Sequence, residues 1–304
     1  MFTISLRQLH YAQIIAEEGH FGRAAARCHV TQPALSQQIR LLEERCDAPI
    51  FDRLGKSVRL TPFGRDFLTQ AARVLSAAQD LETLADMSAG HPGRPLRFGL
   101  IPTVAPYLLP DMLPALATEL PDIQFAVSEG KTDRLVAALI DGDIDMALIA
   151  TENPHPGLAE ADLFADPFVL AAHCDSPLSD PVDLTRLPRE TFLLLEEGHC
   201  LRDQMVDACA LKPELQGRTF AATSLATILE LVANGYGVTL LPTISLKREQ
   251  TNTRIKTLSL AAPGAARTLR LVWRKGSPHD TLFKTIAMTI ARTGERHLAS
   301  EIAA

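Results

Sequence analysis

Apolar residues recur near the start of the chain at Leu6, Leu9 and Ile14, the spacing of one helical face, and Gly19 is placed to end that helix. A short second helix is predicted over residues 21–28, where Arg23-Ala24-Ala25-Ala26 offers a small-residue surface that another helix can approach closely. Thr31 then has the side chain of an N-cap, and Pro33 suits a first helical turn, where a missing N–H costs nothing. The helix so started has two faces. Leu35, Ile39 and Leu42 form an apolar stripe, while Pro33, Ser36, Gln37 and Arg40 share a different side. Residues 51–60, FDRLGKSVRL, read as a hairpin turning at Gly55-Lys56. Thr61-Pro62 restarts helix, and Gly90 stops it. Within that last helix Phe67, Ala71, Val74, Ala78, Leu81 and Ala85 are spaced 4, 3, 4, 3, 4, as in a coiled-coil seam. A helix packed on its own domain is the competing reading.

Beyond Gly90-His91-Pro92-Gly93-Arg94-Pro95, a linker by composition, short apolar runs alternate with helical stretches. LRFGLIPT (96–103) precedes a helix to about Leu120. IQFAVSEG (123–130) precedes a helix from Thr132, and IDMALIA (144–150) follows. Such alternation predicts an α/β domain with a parallel sheet and helices on both faces. Ligands bind beyond the C-terminal strand ends of such sheets, which puts Thr103 and Thr132 at a cleft; each threonine also has the simpler role of capping its helix. A second α/β unit is expected over 165–267, from FVLAAH, a strand in TFLLLEEGH, a helix from Leu225 to Asn234-Gly235, and GVTLLP. TLRLVWR (268–274) and a final helix to about His297 return to the first unit. Asp141, Asp143 and Asp145 imitate a calcium loop, but the glycine is misplaced and the closing glutamate is missing, so they read as a turn into a strand.

At 304 residues, with 46% hydrophobic and 22% charged residues, the chain is too apolar for disorder and long enough for two or three domains. The net charge of −6 is uneven: residues 1–62 carry eight basic against six acidic groups, leaving +2 there and −8 over the rest. A basic head on an acidic body suits a polyanion partner. The side presented by Thr31, Gln32, Pro33, Ser36, Gln37 and Arg40 carries hydroxyl, amide and guanidinium groups that can bond base edges and phosphates in a major groove. Two helices joined by a short turn, followed by a hairpin bearing Arg53, Lys56 and Arg59, make a winged helix-turn-helix, although a solvated face is the plainer reading of the hairpin charges. Gly55-Lys56-Ser57 is not the end of a phosphate loop, because Ile50 stands where that loop needs glycine. A self-pairing helix over 63–90 would set two such heads side by side on inverted-repeat DNA.

No run approaches the ~18 apolar residues of a membrane helix, and the N-terminus lacks the pattern of a secretion signal. A cytoplasmic protein with no membrane partner is therefore expected, its five cysteines resting as thiols. Adjacent pairs (Cys28-His29, His173-Cys174, His199-Cys200) should point their side chains apart, and neither C-x-x-C nor H-x₃-H spacing occurs, so no metal and no cofactor is expected. Residues 196–209, EEGHCLRDQMVDAC, hold the candidate chemistry. Cys200 falls near a helix N-terminus between His199 and Arg202, where dipole and cations favour a thiolate, while Glu196 and Glu197 oppose it. A thiolate attacked by peroxide gives a sulfenic acid that a second thiol can resolve, and Cys209 is the candidate. Nine helical residues separate the two by about 13.5 Å along the axis, whereas a disulfide needs Cα atoms about 4.4–6.8 Å apart. Bonding would require the helix to refold, which would make the pair a switch; two ordinary buried cysteines are the alternative.

The N-terminal run LRQLHYAQIIAEEGHFGRAAARCHVTQPALSQQIRLLEE resembles LysR-type transcriptional regulators, and LIPTVAPYLLP, EEGHCLRDQMVDAC and ATSLATILELVANGYGVTLLP resemble their peroxide-sensing members. The resemblance implies three parts: a winged helix-turn-helix over 1–62, a dimerising linker helix over 63–90, and a periplasmic-binding-protein-like regulatory domain over 91–304. That domain would have two α/β subdomains, about 91–164 plus 268–304 and about 165–267. It implies Cys200 as the peroxidatic and Cys209 as the resolving cysteine. It also implies that Thr103, Thr132, His199 and Asp203 cradle peroxide and its water, and that Arg267 supports the thiolate. A dimer of dimers, RNA polymerase as a partner, and reduction by thioredoxin or glutaredoxin systems are implied too, with no role as an enzyme. A thiol peroxidase would need rapid turnover with a reductant. A regulator answering a small organic effector in the inter-subdomain cleft is the remaining alternative.

Overall fold

The computed structural model describes residues 3–54, 57–88, 94–152, 155–188, 192–209, 222, 224–249, 252–261 and 264–302. The chain divides into two compact units, residues 1–94 with 140–143, and residues 95–139 with 144–304.

In the first unit α1 (Leu6–Glu18) opens on a capping box. Ser5 Oγ accepts from the Gln8 N–H, and Gln8 Oε1 accepts from the Ser5 N–H. It ends at Gly19, whose φ of 59° is the left-handed conformation that glycine adopts without cost. α2 (Phe21–Arg27) is capped by the His20 ring, and α3 (Gln32–Cys46) follows. Thr31 occupies the N-cap of α3 but makes no side-chain capping bond. The second helical position is Pro33, which has no N–H to give it. Leu35, Ile39 and Leu42 are fully buried with Ile15 and Phe21 in one core; each such side chain contributes roughly 1.5–3 kcal/mol. Leu6, expected in the stripe of α1, is half exposed, and Tyr11 and Ala12 fill the stripe instead. β1 (Phe51–Leu54) and β2 (Ser57–Leu60) form the expected antiparallel hairpin, with Leu54 opposite Ser57. Its turn, Gly55-Lys56, lies outside the described residues. α4 (Pro62–Ser88) begins where Thr61 Oγ1 accepts from the Gly64 N–H at 2.8 Å.

In the second unit β3 (Leu96–Leu100), α5 (Ala105–Glu119), β4 (Phe125–Glu129), α6 (Thr132–Asp141) and β5 (Met146–Ile149) alternate as predicted. β3 pairs in parallel with both β4 and β5. Asp145 leads into β5 as a turn residue and accepts from the Arg97 N–H and guanidinium. β6 (Leu158–His173) is a single long strand shared by two half-sheets. Its first part pairs antiparallel with β9 (Ala266–Arg274), which also borders β5. Its last part pairs with β7 (Thr239–Pro242) and β8 (Ile255–Leu258). The order is β4-β3-β5-β9-β6-β7, with β8 on the same stretch of β6. The sheet is therefore mixed, because β9 returns to it antiparallel.

α7 (Cys200–Ala208), α8 (Leu225–Ala233), α9 (Leu246–Glu249) and α10 (Asp280–Ile302) complete the unit. α10 runs past His297 because neither Gly nor Pro follows, and because Leu298 and Glu301 are buried. The strand expected in TFLLLEEGH is not a ladder strand. Among its described residues only Phe192 and Leu195 pair, each by an isolated bridge. An unbroken apolar run marks burial but not partnership. No helix among the described residues is long and apolar enough to cross a membrane.

Candidate redox site and nucleic-acid face

Cys200 is the first residue of α7, after His199 in extended N-cap geometry. The preceding Gly198 has a φ of 85°, and a β-carbon there would meet the Lys131 side chain at 3.2 Å, so glycine fits both the turn and the close approach. Lys131 Nζ donates to Glu196 Oε1 at 2.7 Å and to the Glu197 carbonyl at 2.9 Å, strapping this loop to the start of α6. The Cys200 side chain is buried.

Burial dominates the thiol and pushes it above its ordinary range. The Arg267 guanidinium, the Thr132 hydroxyl and the Leu201 N–H pull it down, and Asp203 pushes it up. Local charges alone left the sign of this effect open; burial decides it, and neither His199 nor Arg202 is among the groups that pull the sulfur down. Arg202 turns away to donate to the Leu195 carbonyl at 2.9 Å, and the cation that acts on the sulfur arrives from β9. The His199 ring is itself held below its ordinary value by burial and by Lys131, with Glu196 opposing.

Arg267 is clamped on three sides. Nε donates to Asp166 Oδ2 at 2.9 Å, and the two terminal nitrogens donate to Thr103 Oγ1 at 2.9 Å and to the Thr103 carbonyl at 3.0 Å. Both members of the Arg267–Asp166 pair are fully buried, and Asp166 Oδ1 accepts from the Ile244 N–H at 3.1 Å. Burial holds the Asp166 carboxyl above the usual range, while Arg267 and the backbone donors pull against it. Thr132, the first residue of α6, is buried, and its hydroxyl has no oxygen or nitrogen partner.

Cys200, Thr132 and Arg267 therefore converge, with Thr103 joined through Arg267. Asp203 stands on the exposed side of α7, its carboxyl raised by partial burial. Thr103 and His199 also line a cavity of about 350 Å³ with Tyr107, Glu129, Arg248 and Glu249; Cys200 is not on that lining. Cys209 follows the last turn of α7, buried, its thiol pushed up to about 12 by burial alone. All cysteines are free thiols.

Sequence reading missed Asp166 and Lys131. An aspartate inside the apolar run FADPFVL was the available signal for a buried counter-ion. Nothing local announced Lys131, whose partners lie 65 and 66 positions away. The expected divergence of adjacent metal-binding side chains also fails at one place. At the end of β6 the chain turns, and Cys174 Sγ lies 3.9 Å from His173 Nδ1.

On the head, Thr31, Gln32, Pro33, Gln37 and Arg40 are exposed and Ser36 is half-buried. Arg59 is exposed, whereas Lys56 and the side chain of Arg53 lie outside the described residues. Arg23 and Arg27 are occupied by Glu17 and Glu18. The six positions of the expected α4 seam divide. Phe67 packs on the core of the head and Ala71 is buried, whereas Val74, Leu81 and Ala85 are exposed and Ala78 is half-buried.

Residues 6–65 match the bacterial regulatory helix-turn-helix proteins of the lysR family, and residues 89–293 match the LysR substrate binding domain. The chain is 38% identical to a hydrogen peroxide-inducible genes activator of Pectobacterium carotovorum subsp. carotovorum, covering 94% of this chain and 96% of that protein. It is 36% identical to the DNA-binding transcriptional dual regulator OxyR of Escherichia coli K12, covering 97% of each. A full-length OxyR from Pseudomonas aeruginosa with a cysteine-to-aspartate substitution superposes with a TM-score of 0.78 at 34% identity, over 95% of each chain. A cysteine-to-serine OxyR from Corynebacterium glutamicum, hydrogen peroxide bound, gives 0.68 at 33%, over 99% of this chain and 96% of that one. By sequence and by fold alike, the chain belongs to the LysR family of bacterial helix-turn-helix regulators, in its OxyR branch.

Proposed function

We propose that this protein is a peroxide-sensing transcription regulator whose switch is the Cys200–Cys209 pair. The observation that carries the reading is the sulfur of Cys200, buried at the N-terminus of α7 with the Thr132 hydroxyl and the Arg267 guanidinium upon it. A hydroxyl with no oxygen or nitrogen partner, an immobilised cation and a helix N-terminus are the groups a peroxide needs around a thiol. The cation and the dipole stabilise negative charge as the sulfur loses its proton and as the leaving oxygen gains electrons. Thr132 supplies a hydrogen bond to the bound oxygens, with Thr103, His199 and Asp203 completing the cradle. The Cys200 thiolate attacks one oxygen of hydrogen peroxide, the O–O bond breaks, and the departing hydroxide takes a proton to leave as water. Cys200 is then a sulfenic acid. The Cys209 thiol attacks that sulfur, a second water leaves, and a disulfide remains. A dithiol of the thioredoxin or glutaredoxin class returns both sulfurs to thiols. One oxidation per signal suffices, so the chemistry serves regulation rather than turnover, and no enzyme activity is assigned.

The exposed face of α3, from Thr31 through Arg40, reads double-stranded DNA in the major groove, with Arg53 and Lys56 on phosphate. Val74, Ala78, Leu81 and Ala85 of α4 pair two chains so that two heads meet an inverted repeat, and pairs of dimers make the tetramer. RNA polymerase is the partner at the promoter, in the cytoplasm. Stoichiometric peroxide followed by mass spectrometry tests the switch, with DNA footprinting in parallel. A Cys200–Cys209 crosslink accompanied by an altered footprint is expected; an unaltered footprint would remove the sensing claim and leave the DNA-binding head standing.

The cavity beside Thr103 and His199, at about 350 Å³ with Tyr107, Arg248 and Glu249 on its wall, supports one other reading: a small organic effector held there. A Cys200→Ser protein that still changes its footprint with peroxide would favour that reading.

A further inference from the structure

We infer that residues 173–175 form a second, independent chemical site: a surface site for one divalent cation of the zinc class, built from His173, Cys174 and Asp175. His173 is the last residue of β6, opposite Ile255 on β8, and the chain turns immediately after it. The turn is fixed by its main chain. The Cys174 N–H donates to the Arg254 carbonyl at 2.8 Å, and the Ser176 N–H donates to the His173 carbonyl at 2.9 Å. The Asp175 N–H donates to His173 Nδ1 at 3.2 Å, which keeps the ring proton on Nε2 and a lone pair on Nδ1. Around that nitrogen stand Cys174 Sγ at 3.9 Å and Asp175 Oδ2 at 3.8 Å, and all three donor atoms lie within 4.8 Å of one another.

A tetrahedral ion bonded at ~2.3 Å to sulfur and ~2.0–2.1 Å to nitrogen and oxygen separates its ligands by about 3.3–3.6 Å. The donors already stand close to that spacing, and the Asp175 side chain, 89% exposed, is free to close the rest. The donor set is borderline-soft, one thiolate, one imidazole and one carboxylate, which selects zinc over calcium or magnesium. Its two negative charges neutralise a divalent ion. On binding, the Cys174 thiol gives its proton to solvent as the sulfur–metal bond forms, and the Asp175 N–H leaves Nδ1 for water. Three protein ligands leave a fourth position for water. A cleft of about 370 Å³ lined by His173, Asp175, Leu178, Leu187 and Val238 gives it room. Nothing in this assignment uses Cys200 or Cys209.

The test is titration of the reduced, metal-free full-length protein with cobalt(II), reading the near-ultraviolet thiolate-to-cobalt charge-transfer absorption, then displacement by zinc(II). One equivalent per chain is expected to give the band. Cys174→Ser should abolish it. His173→Gln should weaken affinity by about 10- to 100-fold, at least the loss seen when an outer-sphere partner is removed. Cys28→Ser, Cys46→Ser and Cys200→Ser should each retain it. No thiolate band in the unaltered protein overturns the proposal, as does a band that survives Cys174→Ser or follows another cysteine.

Discussion

Arg267 holds two positions with one guanidinium: it neutralises Asp166 in a fully buried pair and pulls the Cys200 sulfur toward its thiolate. Removing it should therefore do two separable things. Arg267→Met leaves Asp166 buried without its counter-ion, which costs about 3–5 kcal/mol, read as a lower urea midpoint. It also takes away the strongest influence opposing burial at Cys200, so peroxide should oxidise that thiol more slowly. Adding Asp166→Asn to Arg267→Met should recover much of the stability while the slow oxidation persists; joint recovery would show that Arg267 acts on the sulfur only by holding the fold. Cys209 supports a second prediction. Its thiol sits at about 12, against an ordinary value near 9. Above pH ~9 the unfolded chain binds fewer protons there than the native one, so the stability tied to this proton is lost as pH rises toward 12. Unfolding midpoints measured across that window should fall less steeply in Cys209→Ala. At this scale the run EEGHCLRDQMVDAC offered Cys200 and Cys209 as candidates and the family resemblance implied Arg267, but local spacing alone did not show what surrounds the sulfurs. His199 and Arg202 are neighbours in the chain, yet the group acting on Cys200 is Arg267, and only folding brings it there.

α7 poses its own problem, because the proposed disulfide joins its first residue to the residue after its last. The helical rise separates the two by about 13.5 Å, and both ends are packed into the core, so the segment must unwind after Cys200 is oxidised. Asp207 allows that step to be slowed alone. It is exposed in the last turn, where a carboxylate opposes the helix dipole and aspartate is a poor helix former. Asp207→Ala should stabilise α7 by about 0.5–1 kcal/mol and slow disulfide formation by about two- to fivefold. Sulfenic acid formation should be unchanged. Trapping the sulfenic acid with a carbon nucleophile against time-resolved mass spectrometry of the crosslink distinguishes the two; equal slowing of both steps would mean that α7 does not gate the second. Most elements were legible in advance. The alternation of β3, α5, β4, α6 and β5 declares a parallel sheet, and Gly19 and Thr61 mark helix ends that the backbone honours. Two features resisted. The apolar run over 192–195 shows burial without showing that its pairing is confined to single bridges, and although Pro167 stands where β6 leaves β9 for β7, nothing local shows that one strand continues through it.

For the whole molecule, the heptad spacing of α4 left open whether that helix serves its own head or a second chain, and the side chains divide the answer. Phe67 packs on the core of the head and Ala71 is buried, while Val74 and Leu81 stand 48% and 68% exposed. Large apolar side chains presented in sequence on one stripe are what a second copy would cover. Val74→Glu with Leu81→Glu should lower the sedimentation-derived mass without lowering the unfolding midpoint, because neither residue is in the core. The same variant should lose affinity for an inverted-repeat site far more than for a half-site, since only the paired site depends on two linked heads. Arg40→Ala should weaken both sites alike. Peroxide completes the argument. If the disulfide works by resetting how two heads are spaced, oxidation should change the footprint of the unaltered protein on the inverted repeat. It should leave half-site binding by the Val74→Glu, Leu81→Glu protein unchanged, although its Cys200 and Cys209 still crosslink. A half-site affinity that moves with oxidation would place the effect within a single chain, and the coupling would then have to run through the head itself rather than through the pairing of two.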